Sequence, residues 1–235
     1  MDAPQQMKRL ADSPHGTSRP ASVRHANLSG QVMGTKGLAT RKRLIAAMIR
    51  LLEAVPLREV TVKAVASAAG LSPATFYLYF RSVRECLHAA AGSVSQSTPA
   101  ILEILERDWD AESGAANALA LVMDHLELWE EHRTLLRVRN LAAEERDPLF
   151  MRQRRLAMDA SVRAMTDLAE RQQAKGDLDG AVSPVALASA LFAMLDLVSA
   201  VIHVHDGKKP AAERERIAAA AYVLRAGLGC EGGAA

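Results

Sequence analysis

The residues with most to say about chemistry lie together in Ser72–Phe80, which reads Ser-Pro-Ala-Thr-Phe-Tyr-Leu-Tyr-Phe. Ser72 is a good N-cap, and Pro73 suits the first helical position, where its missing N–H costs nothing. Phe76 and Phe80 repeat at i, i+4 and would anchor a helix to a core, leaving Thr75, Tyr77, Leu78 and Tyr79 to face outward or sideways. Just upstream, Val62, Val65, Ala66 and Ala69 fall on one stripe at helical spacing. Gly70 then stops that helix in a left-handed conformation, and Leu71 plugs the corner. Two short helices joined this tightly, the second with small and hydroxyl-bearing outward residues, form a helix-turn-helix suited to reading DNA.

The elements around this corner must hold it in place. A first helix is expected over 40–54, capped by Thr40, with Leu44, Met48, Leu51 and Val55 facing the core and Pro56 ending it. Thr61 caps the second helix. Ser82, with Glu85 three residues on, forms a capping box for a fourth helix whose inner face carries Val83, Leu87, Ala90 and Val94. Residues 1–39 are rich in Ser, Pro, Gly, His and Gln without periodicity and read as a disordered basic arm. Residues 1–90 hold thirteen Lys/Arg against five Asp/Glu, a balance of +8 in a chain of net charge +2, which leaves −6 for the rest. A basic front on an acidic body suits a molecule that presents one end to a polyanion. Arg41, Lys42 and Arg43 would sit in or before the first turn of helix 1, where the helix dipole disfavours them and a phosphate backbone or minor groove would compensate.

Residues 40–90 resemble the tetracycline-repressor (TetR) family of bacterial regulators, on Thr61, Ala66, Ala69-Gly70-Leu71-Ser72, Thr75-Phe76-Tyr77, Tyr79-Phe80, Ser82 and Leu87. The segment is most similar to the ethionamide-regulator-like branch. The resemblance implies DNA contacts from Lys63 on the exposed side of helix 2 and from Thr61, whose hydroxyl and helix N-terminus would meet a phosphate. Ser72, Pro73, Ala74 and Thr75 are short enough to let the backbone enter the major groove. Tyr77 and Tyr79 would reach phosphates, with a half-buried core position as the alternative for each. Where the family commonly has a Lys at the start of helix 4, this chain has Val83, flanked by Arg81 and Arg84. Leu78 replaces the usual His or aromatic and would make an apolar contact, as with a thymine methyl.

Beyond Thr98 the chain reads as further helices over 98–114, 115–131, 132–145, 148–175, 183–206 and 210–227, with a frayed tail at 228–235. The fold class is therefore all-α: an N-terminal three-helix helix-turn-helix domain (40–90) and a C-terminal helical effector-binding and dimerisation bundle (91–227). The 183–206 stretch is apolar on nearly every face, as expected of a helix covered by a second subunit. With the family's pairing of its last two long helices, this implies a homodimer through Leu168, Leu191, Leu195, Val198, Ile202 and Tyr222, and hence a palindromic double-stranded DNA operator. Ser189, Asp196 and His203 repeat every seven residues on that helix, to orient a ligand or, the plainer reading, to hydrogen-bond across the dimer seam. Met123, Leu126, Trp129, Phe150, Met151, Met158 and Phe192 are the candidates for an apolar effector pocket, ordinary core being the alternative for each.

The remaining features exclude more than they assign. No glycine-rich phosphate loop or Gly-x-Ser-x-Gly elbow is present, and Cys86 and Cys230 match no metal or redox spacing. Neither a metal nor a cofactor is expected. The first forty residues lack a signal-peptide core, and the apolar run around 187–204 is interrupted by Ser189, Asp196, Ser199 and His203, which points to a cytoplasmic protein with no membrane partner. The reading is a DNA-binding repressor released by a small apolar or amphipathic effector: a lipid, an acyl derivative, an aromatic compound or a drug. A helical enzyme and an effector-independent architectural DNA-binding protein are the alternatives.

Overall fold

The computed structural model describes residues 33–202 and 210–230, and among these every regular element is helical. Helix α1 (Thr35–Ala54) leads through a 3-10 turn (Leu57–Glu59) to α2 (Val62–Ala68), α3 (Pro73–Tyr77) and α4 (Val83–Ala91). These four form a head in which α1 packs on α2 and α4, and α2 on α3. The body comprises α5 (Pro99–Glu106), α6 (Gly114–Glu144), α7 (Pro148–Lys175), α8 (Pro184–Ile202) and α9 (Pro210–Gly227). Within it α6 packs on α5, α7, α8 and α9, while α1 and α4 dock on α6 and tie the two parts together.

Several boundaries follow from local chemistry. The Thr61, Ser72, Ser82 and Thr98 hydroxyls each accept from the N–H three residues on, at 3.1, 3.1, 3.2 and 3.2 Å. Gly70 adopts φ +65°, which L residues avoid, and Leu71 N–H closes the corner on the Ala66 carbonyl at 2.9 Å. Gly176 caps α7 in the left-handed region.

Other boundaries differ from expectation. Helix α1 starts five residues before Thr40, with Gly34 as an N-cap lacking a side-chain bond. Thr40 lies inside it, its hydroxyl donating back to the Lys36 carbonyl at 3.0 Å. Residues 35–39 are thus the first turn of α1 rather than part of an arm, and Gly37 passes close to the Tyr79 hydroxyl, which a Cβ there would approach to 3.8 Å. Residues 1–32 of that expected arm lie outside the described residues. Helix α5 stops at Glu106 instead of reaching Gly114, because the chain turns to bury Trp109, whose indole N–H donates to the Ile104 carbonyl at 3.0 Å. The division expected at residue 132 falls where α6 is kinked, since His132 leaves helical geometry (φ −120°, ψ 16°) between its two helical stretches.

The chain end also differs. Leu228 and Cys230 are buried rather than frayed. Gly229 sits at φ +70°, where a Cβ would come 2.1 Å from the Asp177 carbonyl oxygen, so only glycine lets the end pass under the α7–α8 connection. Helix α8 has the length and apolarity of a membrane span despite its polar interruptions. It packs on α6, α7 and α9, with Asp196 and Ser199 turned into the bundle. The extension of α8 to residue 206, with His203, lies outside the described residues.

Candidate nucleic-acid interface

The head closes its own core and leaves the corner's outer face free. Phe76 and Phe80 are buried with ring centroids 5.6 Å apart, in the same core as α1's Leu44, Ala47 and Met48. On the other side Ser72, Pro73, Ala74, Tyr77 and Leu78 are exposed, Tyr77 at 52 % and Leu78 at 48 %. Thr75 is half-buried, its hydroxyl 3.0 Å from that of Ser72, so either group must re-pair to meet a ligand. Tyr79 is half-buried against the core. Thr61 and Lys63 are exposed on α2, beside the corner.

The basic residues divide. Lys42 is exposed on α1, but its neighbours are engaged within the head. The Arg41 guanidinium lies over the Phe80 ring, 5.0 Å from its centroid. Arg43 donates to the Ala69 carbonyl at 2.5 Å and so bolts α1 to the end of α2. None of the three is in the first turn, because α1 begins at Thr35, and no unfavourable dipole needs a phosphate to offset it. Arg81 is exposed, and its backbone N–H donates to the Glu85 carboxylate at 2.6 Å. Arg84 is ion-paired with Asp147, the N-cap of α7, and this partnership across 63 residues left no trace in the sequence. The Arg84 hydrogen bonds hold the Asp147 carboxyl below the usual carboxylate value.

Comparison with known proteins matches both halves of the chain. Residues 44–90 match the family model of bacterial regulatory proteins of the tetR family. Residues 102–223 match that of the tetracyclin repressor-like C-terminal domain. The chain belongs to the TetR family. Its fold is shared with the fatty acid degradation regulator FadR from Bacillus halodurans (TM-score 0.60, 17 % identity, covering 83 % of this chain and 97 % of that one). It is shared likewise with the MbdR regulator from Azoarcus sp. CIB (TM-score 0.55, 17 % identity, 80 % and 98 %). No curated protein matches the sequence. As a TetR-family member the protein is a DNA-binding transcription regulator and not an enzyme. Cys86 is buried, and desolvation pushes its thiol up to about 12.

In the body of this TetR regulator the candidate pocket residues do not share one cavity. Leu126, Phe150 and Phe192 are core, with the Phe192 ring edge-to-face on His125. Met123 is exposed. Met151 and Met158 line a pocket of about 390 Å³ between α7 and α8. Trp129 lines a larger cleft of about 830 Å³ that runs from the head's Pro56, Leu57 and Arg58 to Leu141 on α6 and Leu197 on α8.

At the floor of that cleft lies a buried polar cluster centred on Asp196. Its Oδ1 accepts from Gln96 Nε2 (2.6 Å) and Trp129 Nε1 (3.0 Å). Its Oδ2 accepts from Asn140 Nδ2 (2.9 Å) and Arg154 (3.4 Å). Burial alone would raise this carboxyl, but His125, 3.9 Å away, with Gln96 and Arg154, holds it below its ordinary value. Arg139, fully buried, donates to Gln96 Oε1 at 2.5 Å. Burial pulls its guanidinium down to about 10, the Asp196 charge opposing and the Arg154 charge adding. Of the two expectations for Asp196, orienting a ligand or bonding across a dimer seam, the second is not needed to satisfy it, since its four donors lie within one protomer. Ser189 is exposed and bonds back to the Val185 carbonyl at 2.7 Å, so the two do not act together. Among the described residues no group of three His, Cys, Asp or Glu could hold a metal ion.

Four of the six residues assigned to a subunit interface need a similar correction. Leu168, Leu191, Leu195 and Ile202 are buried in the protomer's own core, because α8 turns that face toward α6, α7 and α9. Val198 is half-buried. Tyr222, also assigned to that interface, is exposed (58 %) on α9, and the other exposed apolar residues of these two helices are Val185, Leu197 (66 %) and Val201 on α8 and Val223 on α9. An apolar residue on every face gave no sign of which face the protomer itself would cover.

Proposed function

We propose that this regulator is a cytoplasmic repressor that binds a palindromic operator as a homodimer and is released by a small apolar or amphipathic effector. The observation that carries the DNA reading is the corner itself: Tyr77, Leu78, Lys63 and Thr61 stand exposed beside a short helix whose own core is complete without them. Short residues at Ser72, Pro73, Ala74 and Thr75 allow close approach to a groove, and Tyr77, Tyr79, Lys42 and Arg81 supply backbone contacts. The exposed apolar face of α8 and α9 supports dimerisation, since contiguous surface of this kind marks an interaction site. The cleft reaching from the head to α8 supports effector control, because a ligand there touches both the part that reads DNA and the part that pairs.

The test is selection of sheared genomic DNA by the purified protein, with sequencing, footprinting and sedimentation. A short palindrome bound by a dimer is expected. Lys63→Ala should weaken binding on all sequences and reduce the salt slope by about one. Tyr77→Phe should cost about 1 kcal/mol of affinity without changing stability. No enrichment at low salt, or a monomer on DNA, would overturn the reading.

A further inference from the structure

The effector class can be narrowed by the charge around the cleft, an inference that rests on the effector reading above. The cleft's walls are apolar: Leu57 from the head, Val138 and Leu141 from α6, Ala193 and Leu197 from α8. Its volume of about 830 Å³ is in the range of small-molecule sites, roughly 300–1,000 Å³. The polar end is not neutral. The cluster beneath it sets one carboxylate, Asp196, against two guanidiniums, Arg139 and Arg154, with His125 the other titratable group packed against it. Arg139 is fully buried, and its Nη1 has no hydrogen-bond partner among the described residues.

Asp196 cannot accept much more, since four donors already surround it. Arg154 can still give. Its side chain is one-third exposed, it lines the cleft, and it spends on Asp196 only a long contact of 3.4 Å out of its five N–H donors. Arg137, exposed, lines the same space. The exposed charges of the cleft, Arg58 and Arg137 against Glu144 and Glu145, are screened by solvent and balance one another, so the buried end with Arg139 and Arg154 sets the sign.

The geometry points to an amphipathic anion as the ligand of this cleft: a carboxylate or phosphate held by Arg154 and Arg137, with an unbranched or compact apolar body along the Leu57–Leu141–Leu197 wall. The anion supplies the negative charge that the cluster lacks. A cationic ligand would add to an excess of positive charge, and a neutral one would leave Arg154 half-used. The wall belongs to the head at Leu57 and to the exposed α8 face at Leu197, so occupancy fixes the distance between them.

Calorimetric titration of the full chain with dodecanoate, dodecyl phosphate, dodecanol and dodecyltrimethylammonium, all below their micelle concentrations, tests this. Both anions should bind one per chain, about tenfold or more tighter than the alcohol, and the cation not at all. Arg154→Gln should remove that advantage while leaving alcohol binding unchanged, and Arg154→Lys should restore part of it. Leu141→Glu, at an exposed position of the apolar wall, should weaken the alcohol as well as both anions, and the anions by about tenfold more because the new carboxylate also repels them. Equal binding of alcohol and anions, or a Kd indifferent to both Arg154→Gln and Leu141→Glu, would overturn the inference. Operator release is read separately: anion binding without release sinks the effector reading and leaves the site, whereas release that survives both substitutions sinks the site and leaves the effector reading.

Discussion

In the head, Thr61, Ser72 and Ser82 each accept a hydrogen bond from an N–H three residues on, and their neighbours remain on the surface. In the body, Asp196 is buried and collects its donors from Gln96, Trp129, Asn140 and Arg154, between 100 and 42 residues away. On the proposed function the two regions meet different partners. A polyanion the size of DNA is met by a surface, and a surface can be specified by short-range capping and turn chemistry alone. A small ligand needs an enclosed polar end, which has to be assembled from distant helices and stays costly until every donor is matched.

The largest test of this contrast is Asp196→Ala. It leaves Gln96, Trp129 and Asn140 without their shared acceptor and the buried Arg139 without its counter-charge, and should destabilise the protein by about 3–5 kcal/mol, measured by urea unfolding. Because the folded protein holds this carboxyl below its ordinary value, its stabilisation is fully present above the unfolded value, about 3.9. It is lost as pH falls through the depressed one. Asp196→Ala should therefore flatten the acid limb of the stability profile. A loss under about 1 kcal/mol would mean that the cluster is solvated in solution and that head and body do not differ in this respect.

Gly70→Ala is the counterpart in the head. The left-handed φ costs an L residue about 1–2 kcal/mol, and the new methyl would stand 3.2 Å from the Arg43 guanidinium that bolts α1 to α2. DNA affinity should fall with stability, since the corner and the bolt are one structure. Loss of affinity with unchanged thermal unfolding would instead assign Gly70 a direct approach to DNA.

This contrast also explains what could be read from the sequence. The caps at Thr61, Ser72, Ser82 and Thr98, the turn at Gly70, the inward Phe76 and Phe80 and the end of α7 at Gly176 depend on residues within one or two turns of each other, and spacing reveals them. The start of α1 escaped because Thr40 offers a better N-cap than Gly34 and Gly37 reads as a helix breaker, although Lys36, Leu38 and Ala39 favour a helix. Arg41, Arg43 and Arg84 looked like phosphate ligands because charge is visible in a sequence and its intramolecular partner is not. The burial of Leu168, Leu191, Leu195 and Ile202 escaped for a related reason. In a helix as apolar as α8, hydrophobicity cannot say whether a face meets the same chain or another.

Head and body meet in the pair Arg84–Asp147, and the smallest predicted effect lies there. Asp147 has two roles, capping α7 by accepting from Leu149 N–H at 3.0 Å and holding Arg84 on α4. Asparagine keeps the cap and gives up the charge. Asp147→Asn should therefore change stability by only a few tenths of a kcal/mol, as for most exposed pairs. It would also release Arg84, flanking the position where the family commonly places a phosphate-binding Lys. If Arg84 can serve the DNA backbone, operator affinity should rise about twofold and the salt slope should steepen, both read by fluorescence anisotropy at two ionic strengths. An unchanged slope would make Arg84 a strut between α4 and α7 and nothing more. The body would then hold the head through this contact without competing with DNA for it.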